Sequence, residues 1–147
     1  MKLPGFNENG DLPAGVYTAT LQELLEHFGK SSLQRRLVGE RLKKIYLLAG
    51  QTNQVLRFIV YGSFITAKEN PNDVDIFMLM EDGFNPDNVF GKNRLIFKHL
   101  TTQEYEGASI FWATKSGIIG DVDVFIEGWQ TKRDKTRRGI VEVVSYD

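Results

Sequence analysis

Cysteine is absent from this 147-residue chain, which excludes disulfides and thiolate metal sites and suits a reducing compartment. Charge of one sign is not in excess either. With 18 basic and 19 acidic residues the formal net charge is -1, so no global field draws the chain to nucleic acid or anionic lipid. Any such binding has to come from a local patch. No apolar run approaches the roughly 20 residues of a membrane-crossing helix. The opening MKLPGFNENGDLP lacks the apolar stretch of a signal peptide. The two histidines, His27 and His99, show no ligand spacing, so neither is assigned a metal. These absences lead to the expectation of a cytoplasmic, soluble protein with no membrane partner. The length suits one domain with one core, spanning residues 1–147.

Along the chain, residues 1–19 read as an irregular N-terminal arm, residues 20–50 as two helices and residues 54–147 as the core. Thr20-Leu21-Gln22-Glu23 is a capping-box pattern that starts a helix, and Gly29 suits its end. Ser31 or Ser32 caps a second helix running to Ala49, with apolar positions Leu33, Leu37, Leu42, Ile45 and Leu48 at helical spacing. Arg35 and Arg36, with Arg41, Lys43 and Lys44, read as a wet basic face of that helix. Gln54 to Tyr61 is a strand, nearly continuous in apolar residues and therefore expected to be buried on both faces. A short helix is expected over Phe64 to Lys68, and Asp73 to Met80 is the second strand. Asn88 to His99 contains a plausible helix, and Glu104 to Thr114 is either helix or strand. Gly120 to Glu127 (GDVDVFIE) reads as a third strand and Gly139 to Ser145 as a last one. Between them Lys132 to Arg138 carries five basic residues in seven, read as an exposed loop or a phosphate contact. Trp112, Trp129 and the phenylalanines read as core. The expected fold is α/β (α+β): a small mixed β-sheet with helices packed on it.

The stretch YGSFITAKENPNDVDIFMLM, Tyr61 to Met80, carries most of the chemistry. Asp73 and Asp75 alternate with Val74 on a strand, so they share a face about 6–7 Å apart. Two such carboxylates repel unless a cation neutralises them. Hard Mg²⁺ takes oxygen ligands, usually one or two carboxylates with water and substrate phosphates. Gly62 lets backbone approach closely, Ser63 offers a hydroxyl and an N–H, and Lys68, in the loop between turn and acids, reads as a solvated lysine or a triphosphate contact. A third acid, Asp123 or Asp121, is expected from the neighbouring third strand.

Gly62-Ser63 after the first core strand, Asp73-Val74-Asp75 on the second and Asp123 on a later one resemble the DNA polymerase beta-like nucleotidyltransferase superfamily. The spacing is close to that of the minimal nucleotidyltransferases of toxin–antitoxin pairs, with a loop about one residue shorter. The arm NENGDLPAGVYTATLQELLEHFG, Arg35-Arg36, GSFITAKENPNDVDIF and Arg138-Gly-Ile-Val141 also look like a family of small bacterial nucleotidyltransferase-like proteins. The resemblance implies a nucleotidyltransferase-like fold and transfer of a nucleoside monophosphate from an NTP, ATP foremost, with Mg²⁺ or Mn²⁺. It implies that Asp73 and Asp75 bridge the metals to the triphosphate. Asp123 would hold the catalytic metal and help deprotonate the acceptor, and Gly62 and Ser63 would grip the β and γ phosphates. The acceptor is expected to be a protein side chain, an RNA end or a small molecule. Larger members carry a further helical domain, for which the residues after Asp123 are too few, so a partner protein or a homodimer is expected to complete the site. The alternative is a non-catalytic binding module of the same fold, an antitoxin or scaffold. A glycosyltransferase, whose Asp-x-Asp also holds a metal-bound diphosphate, is disfavoured by the short chain.

Overall fold

The computed structural model describes residues 3–97 and 107–145. Strand β1 (Val16–Ala19) is followed by helices α1 (Leu21–Phe28) and α2 (Leu33–Gly50) and by strands β2 (Val55–Tyr61) and β3 (Val74–Met80). Then come a short helix α3 (Lys92–Leu95), strand β4 (Ala108–Thr114), helix α4 (Val122–Glu127) and strand β5 (Ile140–Val143). The five strands form one mixed sheet in the order β1-β5-β2-β3-β4. β1 lies parallel to β5 and β3 parallel to β4, while β2 runs antiparallel to both β3 and β5. The α+β architecture expected from the sequence is therefore what the chain adopts.

The helix pair forms for the reasons its sequence advertises. The Thr20 side chain accepts from Glu23 N at 3.1 Å while Glu23 accepts from Thr20 N at 2.9 Å, a reciprocal cap. Ser32 caps α2 by accepting from Arg35 N at 3.1 Å. The stripe that α2 buries is rotated from the expected one. It consists of Arg35, Val38, Gly39, Leu42, Ile45 and Ala49, while Leu33 is 72% and Leu37 48% exposed.

Helices α1 and α2 cover one sheet face, where Phe58, Val60, Val74, Ile76, Met78, Ile110 and Val141 join Leu24, Val38, Leu42 and Ile45 in the main core. The other face carries a smaller cluster of Ile59, Phe77, Leu79, Ile118, Ile126 and Ile140. Side chains alternate along strands, so Arg57, Tyr61, Asp75, Ser109 and Phe111 belong to this second, thinly covered face.

Three expectations are corrected. Residues 16–19 of the supposed irregular arm form an edge strand, held by the β5 ladder from Val16–Ile140 to Ala19–Val143. The stretch 88–99 yields only the single turn Lys92–Leu95 within the described residues, after a 3₁₀ turn at Pro86–Asn88; residues 98 and 99 lie outside them. Gly120 to Glu127 is not a strand. Gly120 turns the chain with φ +86°, and the Asp121 carboxylate accepts from Asp123 N at 2.8 Å and Val124 N at 3.3 Å. That N-cap starts a helix. The ambiguous 104–114 segment resolves to strand β4 from Ala108; residues 104–106 are outside the description.

Candidate functional site

A cleft of about 810 Å³ opens on the thinly covered face, above the ends of β2 and β3. Its walls include Tyr61, Gly62, Ser63, Lys68, Asp75, Ser109 and Phe111, and on the opposite side Trp129, Lys132, Arg133, Asp134 and Arg138. Asp75 pairs with Tyr61 across the β2–β3 ladder and with Ser109 across the β3–β4 ladder. It therefore sits between the two strands that frame the cleft.

Gly62 has φ +86°, a conformation that side chains rarely tolerate. The space above it belongs to Asp75: a Cβ at residue 62 would fall on the Asp75 carboxylate. The turn and the acid are thus packed against each other, and only glycine permits it. Ser63–Ile65 then forms a single 3₁₀ turn, shorter than the helix expected over Phe64 to Lys68. Thr66 Oγ1 closes the segment, donating to Ser63 O at 2.7 Å and accepting from Lys68 N at 3.2 Å.

Burial, and then the neighbouring Asp73 carboxylate, push Asp75 up to about 6. Arg138, a hydrogen bond from Ser109, and Arg133 pull the other way. Burial and the same two acids push the Tyr61 phenol upward. Asp73 stands beside the cleft, close enough to act on both groups.

Asp123 does not join them. Its carboxylate bonds Arg57 Nη1 at 2.7 Å and its side chain is 80% exposed. Arg57 pairs with Leu79 rather than with Asp75, four residues and about 13 Å of strand from Tyr61. Arg57 also grips Glu142 through Nε at 3.1 Å and Nη2 at 2.7 Å. The pair Asp123–Arg57 therefore fastens α4 to the sheet. Asp121, the alternative third acid, is occupied as the cap of α4. In the ladder the residue opposite Asp75 on the far strand is Ser109. Among the described residues no group of three acidic or histidine side chains is placed to hold a metal ion. The donor set fits one hard cation shared by Asp73 and Asp75 with substrate phosphates; it does not supply a third carboxylate.

Three contributors escaped the sequence. Asp11, in the N-terminal arm and buried, pairs with Lys132 Nζ at 3.3 Å and Arg138 Nη1 at 3.6 Å. It ties the basic segment, itself bridged at Thr131–Arg137, over the cleft. Trp129, expected as core, is half-buried on the cleft wall, stacking on Phe77 with ring centroids at 5.1 Å and lying tilted against Tyr61 at 4.7 Å. Arg35, expected on a wet face, is buried and donates to Phe28 O at 3.0 Å, Phe64 O at 2.7 Å, Thr66 O at 2.7 Å and Lys68 O at 2.5 Å. Reading the α2 stripe as 35-38-42-45-49 would have flagged Arg35, since those spacings alternate three and four. Nothing local flags Asp11.

The chain belongs to a family described as a family of unknown function (DUF6932), whose model matches residues 4–144. No curated protein and no solved structure matches it.

Proposed function

We propose that this cleft binds a nucleoside triphosphate, ATP foremost, with Mg²⁺ or Mn²⁺, and that the protein transfers the nucleoside monophosphate to an acceptor. One observation carries the reading: Asp75 is pressed against the Gly62–Ser63 turn, next to Asp73 and facing Lys68, Arg133 and Arg138. A buried acid whose affinity for protons is raised by burial and a neighbouring carboxylate is short of a cation. A turn with a hydroxyl, ringed by cations, is short of an anion. A metal-bound polyphosphate satisfies both.

Asp73 and Asp75 would hold the metal, which when bound neutralises charge on the transferring phosphoryl group. Ser63 donates its hydroxyl to the β and γ phosphates, and Lys68 and Arg133 add point and fork contacts. The Tyr61 phenol stays protonated and does not serve as a base. The resemblance to the nucleotidyltransferase superfamily supports this assignment for Gly62, Ser63, Asp73 and Asp75; Asp123 drops out of it. By the same resemblance the acceptor is a protein side chain, an RNA end or a small molecule. A partner protein or second copy would complete the site, in a toxin–antitoxin or defence setting within the cytoplasm.

A second reading, a nucleotide-binding module without turnover, is favoured by Ser109 standing opposite Asp75 where a third carboxylate would serve. One experiment separates the two. Calorimetry with ATP in Mg²⁺ and in EDTA reads binding, and labelled NTP with Mn²⁺ and a cell lysate reads transfer. Metal-dependent binding with labelled product supports transfer, and binding without product supports the module. No metal-dependent binding to any NTP sinks both.

A further inference from the structure

Arg35 is the one buried cation among the described residues, and its hydrogen-bond partners there are all backbone carbonyls rather than acids. Taking a guanidinium out of water carries a heavy desolvation penalty, so the bonds it makes have to be good ones. Three of the four go to alternate residues, Phe64, Thr66 and Lys68, of the segment that leaves the Gly62–Ser63 turn. The fourth goes to Phe28 at the end of α1. The Phe64 ring also lies under the guanidinium, 5.6 Å from its carbon. A rigid planar fork can hold several acceptors at fixed spacing; an ammonium on a flexible stem cannot.

The clasp reaches the cleft by two short routes. Lys68 is held by its carbonyl while its side chain forms part of the cleft wall. Thr66 is held by its carbonyl while its hydroxyl donates to Ser63 O. Two of the groups assigned to the phosphates, Ser63 and Lys68, thus hang on one buried side chain of α2, whereas Asp75 on β3 and Asp73 just before it do not.

We propose that Arg35 is the positioning residue of the polyphosphate grip: it sets the spacing of Ser63 and Lys68, and so selects ligands with phosphates beyond the first. This rests on the nucleotide reading above. A residue that only stabilised the fold would, when changed, weaken all ligands alike. Arg35, in its proposed role, distinguishes ATP from AMP.

The test compares the affinities of ATP and AMP, each with Mg²⁺, in the native chain and in Arg35→Ala and Arg35→Lys, with melting curves as a fold check. Hydrogen exchange of the amides between residues 64 and 68 is followed without ligand. The expected result for Arg35→Ala is loss of roughly tenfold or more in ATP affinity, little change for AMP, and faster exchange confined to that segment. Millimolar guanidinium should restore the ATP affinity. If Arg35→Ala does not fold, Arg35→Lys keeps the charge without the fork and is expected to lose the same discrimination. A folded variant with an unchanged ratio of ATP to AMP affinity overturns the proposal while leaving the nucleotide reading standing. A native chain that binds neither nucleotide overturns both, and then exchange that still rises in the variant identifies Arg35 as a tether for folding alone.

Discussion

Asp75 lies under Gly62 and between Asp73 and Ser109, so its ionised form is poorly solvated and repelled. Its pKa in the folded chain is about 6 against an ordinary 3.8. The folded state therefore binds more protons than the unfolded one between those values, and stability falls as pH rises through that window. The stabilisation from the neutral form is complete below about pH 4 and lost above about pH 6. Asp75→Asn removes the penalty. Its gain in unfolding free energy over the native chain should be on the order of 2 kcal/mol at pH 8 and shrink towards zero near pH 4, read by denaturant melts at both pH values. The same variant should lose metal-dependent ATP binding. A variant no more stable than the native chain at pH 8 would mean that Asp75 is already neutralised. At Gly62 the expectation is opposite in sign. Gly62→Ala forces a methyl onto the Asp75 carboxylate at φ +86°, which should cost about 2–4 kcal/mol and abolish binding. A melting temperature within a degree of native would contradict the packing described.

Among the elements, α4 separates what its residues do from what their spacing suggested. Asp123→Asn breaks the bond to Arg57, which is partly solvent-exposed on the acid's side. It should change stability by less than about 1 kcal/mol and leave metal-dependent nucleotide binding unchanged; a tenfold loss of binding would return Asp123 to the cleft. Asp121→Ala removes a cap and should cost about 1 kcal/mol, again without touching binding. The α4 stretch was illegible because Val122-Asp123-Val124 alternates like a strand, and six residues are too few for helical period to show. The outcome turned on a carboxylate bonding the amides two and three residues ahead. By contrast α1 and α2 carried their caps at Thr20 and Ser32, and β2 and β3 carried solid apolar runs, so both pairs could be placed from sequence. Gly62, Ser63 and the two acids were legible for the same reason: turn and strand are neighbours in the chain. Arg35 and Asp11 act on residues 33 and 127 positions away at most, and no local pattern encodes such reach.

Across the molecule, the cleft is lined by three distant stretches, the β2–β3 region, β4 and the segment 129–138, and the N-terminal arm braces the last of them. Asp11 holds the arm and the basic segment together. Asp11→Asn leaves Lys132 and Arg138 without that partner, and should destabilise the chain by about 1–3 kcal/mol. It should also speed tryptic nicking between residues 132 and 138 before any other site, as mass spectrometry of early fragments would show. Unchanged cleavage there would mean the segment is held by other means.

The position of β5 has its own consequence. It comes after every other strand among the described residues, yet it lies inside the sheet, between β1 and β2. Until residues 140–143 have been synthesised, β1 has no ladder to join, Glu142 cannot meet Arg57, and the main core lacks Val141 and Val143. Pairing across such sequence separation is slow. A ribosome-bound intermediate would therefore display helices and a β2–β3 hairpin with an unfinished cleft, and any ligand that needs the basic wall has to wait for β5 to thread home.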